Sequence, residues 1–294
     1  MKVAFWPGCV SKGACPELYI STQKIAPVLG LELAELVEAP CCGSGVISEQ
    51  NPALADSLNA LMLAMAEAQG ADLMTICSVC QGTISRHNHA FATDGERLAR
   101  ANDVIASDGY QYRGTTKVKH LLWILVEDIG IDALRPLVKR PLTGVKVAPF
   151  YGCQILRPED ALGIRDHPQR KTYLEQLIRL VGADPVEYHG KSKCCGFPMV
   201  TFNKERSLAM GGSHMVEARE KGADLMVTPC PQCHLNLDAM QPEAARVLRR
   251  RIDVPIFHLP QLLGLAFGFA PEELRLNHHV VPTRGALQKI ELKA

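Results

Sequence analysis

Two short stretches, Pro40-Cys41-Cys42-Gly43-Ser44 and Lys193-Cys194-Cys195-Gly196-Phe197-Pro198, constrain this chain more than any other feature. Neighbouring side chains on an extended strand point to opposite faces. Adjacent cysteines therefore serve one site only where the backbone turns sharply, and the glycine that follows permits such a turn. Each pair has company. Cys41 and Cys42 are preceded by Cys9 and followed by Cys77-Ser78-Val79-Cys80, while Cys194 and Cys195 are preceded by Cys153 and followed by Cys230-Pro231-Gln232-Cys233. Two sets of five account for ten of the eleven cysteines.

Cys41, Cys42, Cys77 and Cys80 each recur 153 residues later, so the chain is an internal repeat. Lys2-Val3-Ala4 leading to Gly8-Cys9 returns as Lys146-Val147-Ala148 leading to Gly152-Cys153 at an offset of 144. Gly70-Ala71-Asp72-Leu73-Met74 returns as Gly222-Ala223-Asp224-Leu225-Met226 at 152. Loops of slightly different length absorb the differences. The 294 residues suit two domains, 1–143 and 144–294, each long enough to bury its own core.

A net charge of +1 gives no reason to expect nucleic acid or an anionic membrane surface as partner. The N-terminus enters a strand at once, without the basic region and apolar run of a signal peptide. The longest apolar window, Leu259 to Ala270, is broken by Pro260, Gln261, Gly264 and Gly268 and falls short of the roughly 20 residues of a membrane span. The expectation is a cytoplasmic protein with at most peripheral membrane contact. Its thiols are then reduced, and they read as metal ligands rather than disulfides.

Strands and helices alternate along the chain. A strand from Val3 to Trp6 runs into Cys9, a helix from about Pro16 to Leu29 closes on Gly30, and a strand near Leu33 to Val37 precedes Cys41. Asn51 caps a helix with Pro52 at its first position, and Leu54, Leu58, Leu61, Met62 and Met65 recur at helical spacing until Gly70. That stripe is the buried face of an amphipathic helix. Asp72 to Ile76 forms a strand, and Cys77-x-x-Cys80 opens the next helix. Residues 91–114 read as irregular, 118–129 as a helix and 132–144 as a basic connection.

The second half repeats the order: strand Val145 to Phe150, helix Lys171 to Val181, strand Pro185 to Tyr188, a helix from Asn203 to Gly222, and strand Asp224 to Thr228. From Ile256 an apolar helix is expected to pack across both halves and narrow an entrance between them. The fold class is α/β: two pseudo-symmetric Rossmann-like domains with open, largely parallel sheets. The cysteines then sit at strand C-terminal ends, where such sheets bind ligands.

Five thiols per set are the chemical clue. A structural zinc takes four ligands and leaves one thiolate over. A cubane [4Fe–4S] cluster also takes four, and the compact ferredoxin run of cysteines is absent. Spacing favours iron–sulfur over zinc. It leaves open a split cluster with bridging thiolates or a cubane with a spare cysteine. Cys15, within Gly13-Ala14-Cys15-Pro16, has no counterpart in the second half and reads as a plain buried or loop thiol.

One cysteine, then Cys-Cys-Gly, then thirty-four residues and Cys-x-x-Cys, twice in one chain, resembles the heterodisulfide reductase B-subunit family. The resemblance covers nearly the whole chain. It implies a noncubane [4Fe–4S] cluster on Cys9, Cys41, Cys42, Cys77 and Cys80, and another on Cys153, Cys194, Cys195, Cys230 and Cys233. It implies an oxidoreductase component in which a disulfide is split or formed between two facing clusters. The implied partners are a ferredoxin-like iron–sulfur subunit, a flavoprotein, and a disulfide or thiol sulfur carrier whose identity the sequence does not specify. The chain has no Gly-x-Gly-x-x-Gly signature, so a flavin or nicotinamide belongs to a partner.

Thiolate products need protons or positive charge. Lys191, Lys193, His189, His234 and His87 lie within a few residues of ligand cysteines, and Lys193, His189 and His234 are the candidates for that supply. The same paired motif occurs in components of some succinate:quinone reductases and, in related forms, of glycolate and lactate oxidation systems. The alternative is therefore an electron-transfer or quinone-facing subunit, with Leu262 to Phe269 as its apolar surface. A third class is a scaffold whose clusters only hold the halves together. Because each set lies within one half, Cys42→Ser or Cys195→Ser should remove one cluster and halve the iron of the anaerobically purified chain. Complete iron loss in either variant would count against two independent sites.

Overall fold

The computed structural model describes residues 1–291. Each half builds a four-stranded, all-parallel sheet. In the first, strands β1 (Lys2–Trp6), β2 (Glu32–Glu35), β3 (Leu73–Thr75) and β4 (Val118–His120) lie in the order β2-β1-β3-β4. In the second, β5 (Lys146–Pro149), β6 (Asp184–Pro185), β7 (Leu225–Thr228) and β8 (Ile256–His258) lie in the order β6-β5-β7-β8. Central strands read AFW and LMVT because both faces are covered, as parallel sheets require.

The main helices are α1 (Pro16–Ile25), α2 (Pro52–Ala68), α3 (Ser78–Thr93), α4 (Gly95–Ile105), α5 (Tyr173–Leu180), α6 (Lys204–Glu220) and α7 (Leu259–Ala266). The paired asparagine caps form as the sequence reading expects: Asn51 accepts from Leu54 N and Asn203 from Arg206 N.

Three expectations are corrected. Residues 91–114 are not irregular, because α3 runs on to Thr93 and α4 follows at once. Asp94 caps α4 by accepting from Arg97 N. Only Ala101 and Ile105 of α4 are buried, which left its polar sequence without a legible stripe. The supposed helix at 118–129 begins with strand β4, and the supposed helix from Ile256 begins with strand β8. Three-residue strands are too short to display a period of two, and their partners β3 and β7 are what hold them extended.

The halves do not keep separate cores. Val3, Phe5 and Met74 of the first sheet share one buried cluster with Val147, Leu225 and Val227 of the second. Helix α7 packs on α1 of the opposite half, and the helical segment 121–134 packs on α5. Every residue of α7 is buried. The helix therefore crosses between halves as expected, but as core and not as the rim of an entrance, and Leu262–Phe267 offers no surface to a bilayer. Among the described residues, no helix is long and apolar enough to cross a membrane.

Polar ties reinforce the junction. His120, ending β4, bonds the Pro229 carbonyl at 3.1 Å, and His258, ending β8, lies 3.1 Å from Glu17 Oε1. Arg170 donates to both oxygens of Glu127 at 2.6 and 2.9 Å and stacks 3.9 Å over the Trp123 ring. Breaking a buried pair strands the remaining charge. Arg170→Ala should cost about 3 kcal/mol in anaerobic denaturant unfolding. Arg170→Lys should recover only part of it, because an ammonium neither forks nor stacks as a guanidinium does.

Candidate functional site

The ten paired cysteines gather beyond the carboxyl ends of the strands, each in the loop or helix start that follows one. Cys9 follows β1, Cys41 and Cys42 follow β2, and Cys77 and Cys80 follow β3; the second set follows β5, β6 and β7 in the same way. Cys9 Sγ lies 3.8 Å from Cys41 Sγ, and Cys42 Sγ lies 3.6 Å from Cys80 Sγ. In the second half Cys153, Cys194, Cys195, Cys230 and Cys233 converge on one small cavity. The sets are also neighbours: Ser78 and Val79, between Cys77 and Cys80, line a cavity with the cysteines of the second set. All are free thiols.

Glycines make the convergence possible. Gly43 and Gly196, which follow the cysteine pairs, adopt φ of +71° and +93°, the turn that aims both neighbours into one site. Gly8 and Gly152 adopt φ of +88° and +69°, and a Cβ there would sit 3.2 Å from Cys80 Sγ or 2.9 Å from Cys233 Sγ. A side chain at either position would intrude on the thiol cluster.

Thiols this close cannot all ionise together. Cys41 is held far below the usual thiol range by hydrogen bonds from Cys42 and then Cys9, and Cys194 by those from Cys153 and then Cys195. Cys9 and Cys153 are pushed up by the same contacts and by burial. Full ionisation of a set needs added positive charge, which a bound metal would provide. The donor set, all thiol and convergent, fits an iron–sulfur cluster in each half.

Two asparagines that sequence reasoning missed fix the corners. Asn59 on α2 donates to the Cys42 carbonyl at 2.9 Å, and Asn236 donates to the Cys195 carbonyl at 2.6 Å. They are not repeat partners. Gly211 occupies the position matching Asn59, and a Cβ on it would approach the Cys195 carbonyl to 3.0 Å and Asn236 Nδ2 to 3.1 Å. The same bond thus arrives from a different helix, so no repeat comparison could find it. His214 adds a contact to the Cys194 carbonyl at 3.0 Å.

The candidates for charge and proton supply scatter. Lys193 is exposed and directly precedes Cys194. His189 is 94% exposed in its side chain and bonds Glu217 at 2.9 Å. His234 is buried among His258 and His279, with Nε2 bonded to the Ile256 carbonyl at 3.1 Å. Lys191 is paired with Glu175 and Glu187, and His87 with Asp56, each at 2.7 to 2.8 Å. None of the five lines the narrow apolar cavity beside the second set. That cavity is bounded by Ser78 and Val79 of the first half and by Tyr151, Gln154, Phe197 and Gln232 of the second. Cys15, buried, contacts the Pro231 carbonyl at 3.6 Å and joins neither set.

Fold and site together define a duplicated α/β protein with a five-thiol site at the strand ends of each half. Residues 3–85 and 147–238 match the CCG cysteine-rich domain, and the chain belongs to that family. It is 36% identical over 278 residues to the 8-methylmenaquinol:fumarate reductase membrane anchor subunit of Wolinella succinogenes, covering 95% of this chain and 96% of that one. It is 30% identical to a protein of Archaeoglobus profundus described as like the heterodisulfide reductase B-subunit, over 93% of each chain. The B-subunit of the ferredoxin/F(420)H(2)-dependent CoB-CoM heterodisulfide reductase of Methanosarcina acetivorans is also 30% identical, over 98% of this chain and 97% of that one. The resemblance to the heterodisulfide reductase B-subunit is thereby established. A crystal structure of a hypothetical protein from Helicobacter pylori shares the fold, with a TM-score of 0.75 at 14% identity; the alignment spans 95% of this chain and 52% of that one.

Removing one asparagine leaves a buried carbonyl unpaired, at a cost of about 1–3 kcal/mol. Asn236→Ala should therefore loosen the second corner alone, read as iron loss from one site. Gly211→Asn combined with Asn236→Ala places the donor where the first half has it and should recover the lost iron.

Proposed function

We propose that this chain is the catalytic iron–sulfur subunit of a heterodisulfide reductase-like complex. Each five-cysteine set holds a noncubane [4Fe–4S] cluster, and a disulfide or related sulfur-carrier bond is cleaved or formed between them. The observation that carries this reading is the adjacency of the two sets: Ser78 and Val79, inside the first Cys-x-x-Cys, line the same cavity as Cys153, Cys194, Cys195, Cys230 and Cys233. It brings both sites within reach of one small bond. The clusters, when bound, supply two one-electron carriers, one in each half.

The chain's own residues position and screen. Cleaving a disulfide consumes two electrons and two protons and yields two thiols. Val79, Phe197 and Pro198 form apolar walls that exclude water, while Gln154 and Gln232 offer amides to orient a polar carrier. Gln154 is itself held by Arg86 of the first half at 3.1 Å. Tyr151 is kept protonated by burial and by Glu175.

The partners in this reading are a ferredoxin-like iron–sulfur subunit and a flavoprotein. Cys9 and Cys41 are exposed, which leaves the first site open to a neighbouring protein. The Wolinella relative favours a second reading: an electron-transfer or quinone-facing subunit of a fumarate reductase-type complex.

Anaerobic iron and sulfide analysis with paramagnetic resonance separates these. About eight irons per chain are expected, two clusters of four. A resonance that shifts on adding aliphatic mixed disulfides or their thiols supports the first reading. One that responds to a quinol and ignores disulfides replaces it with the second.

A further inference from the structure

Behind the second thiol set lies a buried polar cluster that the proposed chemistry does not use. Cys15 and Glu17 open α1 of the first half, and His234 and His258 come from the second. One ligand atom from each, all four residues buried, lies within 4.8 Å of the other three. We propose that Cys15, Glu17, His234 and His258 form a mononuclear zinc site that staples the two halves together.

The donor types suit zinc. A tetrahedral zinc with bonds of about 2.0 to 2.3 Å separates its ligand atoms by about 3–4 Å, so modest contraction closes the cluster on an ion. One thiolate and one carboxylate balance the dication against two neutral imidazoles. The unit is uncharged overall, as complete burial demands. Both anionic ligands sit at the N-terminus of a ten-residue helix, where its dipole favours negative charge.

His234 points to an occupant. Its Nε2 hydrogen bonds the Ile256 carbonyl at 3.1 Å, which fixes the tautomer and leaves the lone pair on Nδ1. That Nδ1 is buried without a hydrogen-bond partner among the described residues, 3.9 Å from Glu17 Oε1. A ligating histidine presents this arrangement: one nitrogen anchored to a carbonyl and the other open to the metal.

A plain hydrogen-bonded core explains less. The matching residue in the first half, Gln81, makes the equivalent bond to the Val118 carbonyl at 3.0 Å. The fold thus needs no imidazole there. Nor does Cys15 have a counterpart. The nearby trio of His234, Asp238 and His279 is a weaker candidate, because Asp238 already accepts from Val280 N and Val281 N at 2.7 and 3.1 Å.

The test uses the anaerobically purified holoprotein, with iron and zinc measured together and the zinc neighbours read by X-ray absorption at the zinc edge. About one zinc per chain is expected, with one sulfur and three nitrogen or oxygen neighbours. Cys15→Ser should remove the sulfur neighbour while iron stays unchanged, and Glu17→Gln should speed zinc loss to a chelator at the same iron content. A fully iron-loaded chain that takes up no zinc when zinc is offered overturns the proposal. So does zinc surrounded by three or four sulfurs, which places it on the paired cysteines. Failure of the cluster reading appears as missing iron and is distinguishable from either outcome.

Discussion

Everything in this molecule answers to the crowding of thiols at the ends of six parallel strands. Ten sulfur atoms in two neighbouring groups cannot all ionise in a buried setting unless positive charge is added. Converging five thiols on one point requires a rigid frame. Left-handed glycines set the corners, asparagine amides pin the Cys42 and Cys195 carbonyls, and the sheets fix each first cysteine relative to its Cys-x-x-Cys.

The frame extends across the pseudo-symmetric junction. A shared core, crossed helices and the Arg170–Glu127 pair make the two halves one packed body. This matters because the reading of both sets as one reaction centre depends on their mutual placement. Two independently folded domains joined by a linker would leave that placement free.

Duplication is not identity. The stretch from Cys153 to Cys194 is longer than that from Cys9 to Cys41, and the second half's thiols are better covered: Cys153 and Cys194 are half-buried where Cys9 and Cys41 are exposed. The corner amide comes from Asn59 on one side and Asn236 on the other, and Gln81 stands where the second half has His234. The second site is thus the enclosed one and the first the open one.

The amino-acid sequence by itself determined the repeat, the two sets of five cysteines, the glycine corners and the alternation of strand and helix. These rest on spacing and on local backbone preference, which need no knowledge of distant contacts. It also marked Cys15 as the thiol outside both sets. The outer strands β4 and β8, the polar helix α4 and the merged core were not legible, because three residues show no period and a shared interface has no local signature. Lys193, His189 and His234 were singled out by nearness along the chain, yet side-chain direction decides what a residue touches. Tertiary packing turned His189 to solvent and His234 into a buried cluster with Glu17, some two hundred residues away. Only the folded chain could bring the first Cys-x-x-Cys beside the second thiol set, since that adjacency depends on how two sheets dock and not on any spacing within either.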